Sequence, residues 1–134
     1  MVAQALSAYR QFLVFAVVGT LGFVVDAGIV LGLKTGGINL ILAQLIAFTV
    51  AVSVTWIGNR TWTFRQRSRC HTVTQEWFLY VSANTLGWLV ANGVYITLVL
   101  AVPLMAHQPV WAVAAGSLSG LLLNYTASRR VVFR

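Results

Sequence analysis

Four apolar runs, each about as long as a bilayer core is thick, leave this chain few ways to fold. The first, residues 12–33, would cover about 33 Å as a helix, against a hydrocarbon core of about 30 Å. The second covers residues 38–58, the third 77–102 and the fourth 110–127. Inside hydrocarbon every backbone N–H and C=O needs a partner within its own segment, so runs of this length resolve as helices. With 59% hydrophobic and only 8% charged residues, the chain is far from the composition of a water-soluble domain. The expected fold class is an all-α membrane protein of four transmembrane helices, forming one domain over residues 1–134. The first run is too long for a signal-peptide core and has no small-residue cleavage site after it, so its removal is not expected.

The connections set the expected orientation. Residues 34–37 form a turn, residues 65–76 a polar linker, and Pro103 and Pro109 bracket a short connection. Arg10 precedes the first run, Arg60, Arg65, Arg67 and Arg69 lie between the second and third, and Arg129, Arg130 and Arg134 follow the fourth. Only Lys34 falls on the other side. Retained loops are enriched in Lys and Arg, so both termini and the central linker are expected in the cytoplasm, and the chain in the inner (cytoplasmic) membrane. The net charge of +7 therefore addresses lipid headgroups, and no nucleic-acid partner is expected. Cys70 is the only cysteine and no Cys/His spacing fits a metal, so neither disulfide, metal nor cofactor is expected.

The chain also repeats itself. Thr20-Leu21-Gly22-Phe23 matches Thr85-Leu86-Gly87-Trp88, and the same register pairs Val25 with Val90 and Gly28 with Gly93. The run from Asn59 through Arg60, Trp62 and Phe64 to Arg65 lines up with the run from Ser128 through Arg129, Val131 and Phe133 to Arg134. Two hairpins of the same direction follow, as parallel repeats. Ala43, Ala47 and Ala51 recur every fourth position, as do Ala112, Gly116 and Gly120 at the matching places, a spacing that lets helix backbones approach closely.

Phe15, Gly19, Thr20 and Asp26 in the first run, Asn59, Arg60, Trp62 and Phe64 after the second, and Asn124, Tyr125, Ser128, Arg129 and Phe133 at the end resemble the GtrA-like family of small membrane proteins. The resemblance covers nearly the whole chain, with Val131 standing where the family often has an aromatic residue. It implies the movement of polyprenyl-phosphate monosaccharides, such as undecaprenyl-phosphate glucose, across the cytoplasmic membrane for cell-envelope glycosylation, with a glycosyltransferase as neighbour. Some relatives instead anchor a polyprenyl-phosphate sugar synthase.

Such a task needs cations for phosphate, and amides or aromatic rings for sugar. Arg60 and Arg129 occupy matched positions at span ends, where a guanidinium either grips phosphate or anchors the span by snorkelling. Asn59 adjoins Arg60, and Trp62 belongs to an interfacial aromatic belt or stacks on substrate. Asp26 is the only ionisable residue well inside a run, and an acid there costs several kcal/mol unless paired, protonated or hydrated. Three roles stand open for it: proton coupling, hydrogen bonding to sugar, or structural pairing with another helix. Asn84, Trp88, Asn92 and Tyr95 share one helix face, suited either to sugar or to interhelical bonding, and Asn124 and Tyr125 extend that lining. Glu76 is expected at the surface, paired with a nearby arginine.

No set of residues is placed for covalent catalysis, so a non-enzymatic translocator of lipid-linked sugar leads. A small proton-coupled multidrug exporter, with Asp26 as its acid, and a non-transporting anchor for a glycosyltransferase are the alternatives. Four short helices enclose little volume, so a homo-oligomer is expected.

Overall fold

The computed structural model describes residues 2–67 and 69–134, with side chains described from residue 6 onward. Five α-helices follow one another: α1 (Val2–Thr35), α2 (Leu40–Gly58), α3 (Val73–Ala101), α4 (Pro103–His107) and α5 (Val110–Ala127). A π-helical turn continues α2 over Asn59–Thr63, and another continues α5 over Ser128–Val132. No strand occurs among the described residues. Four stretches, Leu6–Thr35, Leu40–Thr63, Val73–Ala101 and Val110–Val132, are long and apolar enough to cross a membrane.

The helix bounds depart from those of the apolar runs, for identifiable reasons. Helix α1 begins at Val2 rather than residue 12, through a stretch of alanine, leucine and glutamine without proline or glycine. Helix α2 starts only at Leu40: Gly37 takes a left-handed φ of 82°, and Asn39 Oδ1 accepts from the Ile41 N–H at 2.9 Å. Helix α3 begins at Val73 instead of residue 77 because Thr72 and Gln75 form a reciprocal capping box. The connection between the prolines is itself a short helix, with Pro103 in its first turn where no N–H is needed.

The chain divides into two compact units, Met1–Ser68 and Arg69–Arg134. In the first, α1 packs along α2 through the alanine row, with Ala43, Ala47 and Ala51 all buried. Gly22 lies beneath the Thr55 side chain, and Phe15 meets Phe64 edge-on with ring centroids 6.1 Å apart. In the second, α3 packs along α5 through Ala112, Gly116 and Gly120, and Tyr80 meets Phe133 at 5.9 Å. Large apolar side chains such as Leu21, Phe23, Leu45, Leu86 and Leu100 point outward instead. That inversion suits a lipid solvent, where small residues let backbones meet and bulky ones face the acyl chains.

Candidate functional site

Both π-helical turns sit where an apolar helix meets an arginine. In the first unit the Phe64 N–H reaches back to the Asn59 carbonyl at 2.8 Å, a bond spanning five residues, which widens the backbone at that point. Asn59 is buried, and its Oδ1 accepts from the Thr63 hydroxyl at 2.7 Å. Gln11 on α1 donates to the Thr63 carbonyl at 3.1 Å and so fastens the turn to the neighbouring helix. Arg60 is half-buried, its guanidinium 5.3 Å from the centre of the Trp56 ring one turn earlier. The ring's negative face holds the cation at the end of the helix. Trp62 turns outward and is 66% exposed.

Asp26 lies elsewhere in this unit. Its carboxylate faces Gln44 of α2, whose Nε2 is 3.5 Å from each oxygen, a bifurcated and long contact that leaves the acid half-exposed. Residues 44 and 60 are separated by about 24 Å of helix, so Asp26 and Arg60 mark opposite ends of α2. A single phosphosugar headgroup cannot touch both at once.

In the second unit the Phe133 N–H bonds to the Ser128 carbonyl at 2.9 Å, repeating the five-residue reach, and Arg129 is half-buried on that turn. Asn124 and Asn84 are brought together: Asn124 Nδ2 donates to Asn84 Oδ1 at 3.4 Å, while Asn84 Nδ2 donates to the Tyr80 carbonyl at 2.9 Å. Gly87 makes room for this pair, since a Cβ there would meet Asn124 Oδ1. Asn92 donates to the Trp88 carbonyl at 2.8 Å, and Tyr95 lies against Gly116. Trp88 faces outward. The amide donors of Asn84 and Asn92 thus serve carbonyls of their own helix, which weakens the case for this face as a sugar platform. Asn124 Oδ1 and the Ser128 hydroxyl are buried among the described residues without a hydrogen-bond partner.

Glu76 departs from expectation. It does face Arg69, at 3.9 Å, but it is only 1% exposed rather than a surface residue. Just before α3, the Cys70 N–H bonds to the Arg134 carbonyl at 3.2 Å, and a His71 ring nitrogen lies 2.9 Å from the Val131 carbonyl. The chain before α3 is thereby clasped against the C-terminal residues. Beside it, His71, Thr74, Gln75, Phe78, Leu79 and Ser82 line an open hollow of about 460 Å³. The Gln44 partner of Asp26 and this hollow were both missed from sequence. The capping-box spacing of Thr72 and Gln75 was the one signal that extended α3 far enough to form the hollow.

A family model described as GtrA/DPMS, transmembrane domain, matches residues 14–133. No curated protein matches the chain. The matched stretch takes in most of both units, and with four apolar helices it makes this a multi-pass membrane protein.

Proposed function

The chain belongs to the GtrA/DPMS transmembrane-domain family, and on that premise we propose that it moves a polyprenyl-phosphate monosaccharide, such as undecaprenyl-phosphate glucose, across the cytoplasmic membrane. Membership itself ties the chain to a membrane function concerned with polyprenyl-phosphate sugars. The observation that carries the finer reading is the half-buried arginine on a π-helical turn at the end of each unit's second long helix, Arg60 and Arg129. A guanidinium there can offer paired N–H donors to a phosphate while the polyprenyl tail stays in lipid. Asp26, at the other end of α2 from Arg60, supplies an acceptor for sugar hydroxyls or a proton carrier on the far side. In this reading no covalent bond is made or broken, the arginine-bearing ends face the cytoplasm, and a glycosyltransferase and a second copy of the chain are the partners.

Transbilayer movement of undecaprenyl-phosphate glucose in liposomes holding the purified protein tests the reading. Movement faster than in empty liposomes, slowed by Arg60→Ala and by Arg129→Ala, is expected; the same rate with and without protein overturns it. The family description favours one second reading, an anchor or assembly partner for a polyprenyl-phosphate sugar synthase, because the same domain is named for its place in DPMS. Co-purification of a synthase without any acceleration of transbilayer movement would select that reading. Family membership favours both over the drug exporter, which rests on Asp26 alone.

A further inference from the structure

The hollow beside the N-terminal turns of α3 combines features that suit one ligand class. Its volume of about 460 Å³ falls within the range of about 300–1,000 Å³ typical of small-molecule sites. Most of its wall is apolar, supplied by Phe78 and Leu79, and polar side chains of both hydrogen-bonding senses, His71, Thr74, Gln75 and Ser82, punctuate it. The Phe78 side chain is 60% exposed, and Trp77 packs edge-on against it at 5.1 Å, which holds the ring in place. An exposed, braced aromatic ring with hydroxyl and amide groups around it matches a pyranose, whose C–H face is apolar and whose rim carries hydroxyls.

The polar groups are oriented by bonds that leave part of their capacity over. Gln75 uses Oε1 to cap the Thr72 N–H, which fixes the amide and leaves its Nε2 to donate. Ser82 donates to the Phe78 carbonyl at 2.9 Å, so its oxygen lone pairs can accept. One nitrogen of His71 meets the Val131 carbonyl, which leaves the other for a hydroxyl. Arg69 stands two residues before His71, at the same end of α3, where it faces Glu76 at 3.9 Å. On the Asn84-to-Tyr95 face one amide N–H each of Asn84 and Asn92 bonds to a carbonyl of the same helix, and Asn84 Oδ1 accepts from Asn124.

We propose that this hollow seats the monosaccharide of the lipid-linked substrate at the arginine-bearing end of α3, with Phe78 as the stacking platform and Gln75, Thr74 and Ser82 as hydroxyl partners. The proposal rests on the lipid-linked sugar reading above. It separates the sugar seat in the second unit from the deep acid Asp26 in the first, and makes the headgroup bind at the level of the helix end rather than in mid-span.

The test compares affinities of the purified full chain in nanodiscs for bare undecaprenyl phosphate and for its glucosyl, galactosyl and mannosyl derivatives. Wild type is expected to bind at least one glycosyl lipid about tenfold more tightly than the bare phosphate, a difference of about 1.4 kcal/mol. Phe78→Leu keeps apolar volume and removes the ring; with Gln75→Ala as a second variant, both are expected to bring that ratio to about one while affinity for bare undecaprenyl phosphate is unchanged. A glycosyl preference that survives both substitutions overturns the seat and leaves the parent reading standing, as does equal affinity for all four lipids. Failure to bind any of the four overturns the seat and the parent reading together. Unchanged melting temperatures of the two variants accompany the expected result, since a ratio lost through unfolding would also lose the bare phosphate.

Discussion

At the scale of single residues, the two polar groups that stand out differ in how their environment treats them. Asp26 has one weak amide partner at 3.5 Å and is half-exposed within an apolar helix, so the charge gains little from Gln44. Asp26→Asn is therefore expected to leave the melting temperature unchanged or raised, and to slow transbilayer movement by about tenfold or more, which is about 1.4 kcal/mol in the barrier. A drop in melting temperature with movement intact would make Asp26 a structural acid. Ser128 is the opposite case: its hydroxyl is fully buried and has no hydrogen-bond partner among the described residues, so within them its desolvation is uncompensated. Ser128→Ala is expected to stabilise the protein by about 1 kcal/mol, read as a higher melting temperature in detergent; destabilisation would show that the hydroxyl bonds to something bound there. Neither environment was legible in the sequence. Gln44 faces Asp26 only through the register between α1 and α2, and Ser128 and Glu76 are buried although they stand near the ends of their helices, where the sequence alone suggests exposure.

At the scale of helices, the glycines sort into those that permit contact and those that do not. A Cβ on Gly116 would strike the Ala91 carbonyl, and one on Gly120 would lie 2.8 Å from the Gly87 carbonyl. Backbone cannot swing aside as a side chain can, so Gly116→Ala must push α3 and α5 apart, at about 1–3 kcal/mol. Gly28→Ala and Gly93→Ala meet nothing within 4 Å and are expected to stay within about 0.5 kcal/mol of wild type. Thermal melting of the three variants checks this; equal melting temperatures would mean that α3 and α5 do not meet as described. This part of the fold was readable beforehand, because small residues at every fourth position encode close approach directly: the Ala43 and Ala112 rows both bury as the spacing required. The π-helical turns were not readable. The sequence at Asn59-Arg60 reads as a helix end, yet the Thr63-to-Asn59 side-chain bond and the Gln11 contact to the Thr63 carbonyl carry the helix on in a wider form. Arg60 opens that turn and lies over Trp56 one turn earlier, the ordinary four-residue spacing of a helix, so the stretch that reads as a stop in the sequence carries the proposed phosphate group within a continuing helix.

At the scale of the whole molecule, the distribution of charge makes the strongest demand. Eight of the nine basic residues belong to the N-terminal part of α1, the stretch between α2 and α3 or the C-terminal segment, and Lys34 alone lies in the last turn of α1, at the end that meets α2. If all four apolar helices cross in turn, those three regions share one side of the membrane, and the enrichment of Lys and Arg in retained loops makes the cytoplasm the expected side. The proposed function depends on this sense, because a lipid-linked sugar made in the cytoplasm must first meet Arg60, Arg129 and the α3 hollow there. The chain carries its own reporter: Cys70 is the only cysteine, is exposed, and lies in the connector just before α3. In intact cells Cys70 is expected to resist a membrane-impermeant maleimide and to react after permeabilisation. A Cys70→Ser variant carrying Lys34→Cys is expected to behave in the opposite way, since position 34 is exposed at the other end of α1. Labelling of Cys70 in intact cells, with position 34 protected, would invert the molecule, set the arginines on the outer face, and turn the proposed entry site into an exit. Labelling of both positions in intact cells would mean that α2, which separates them, does not cross the bilayer in one sense in every copy.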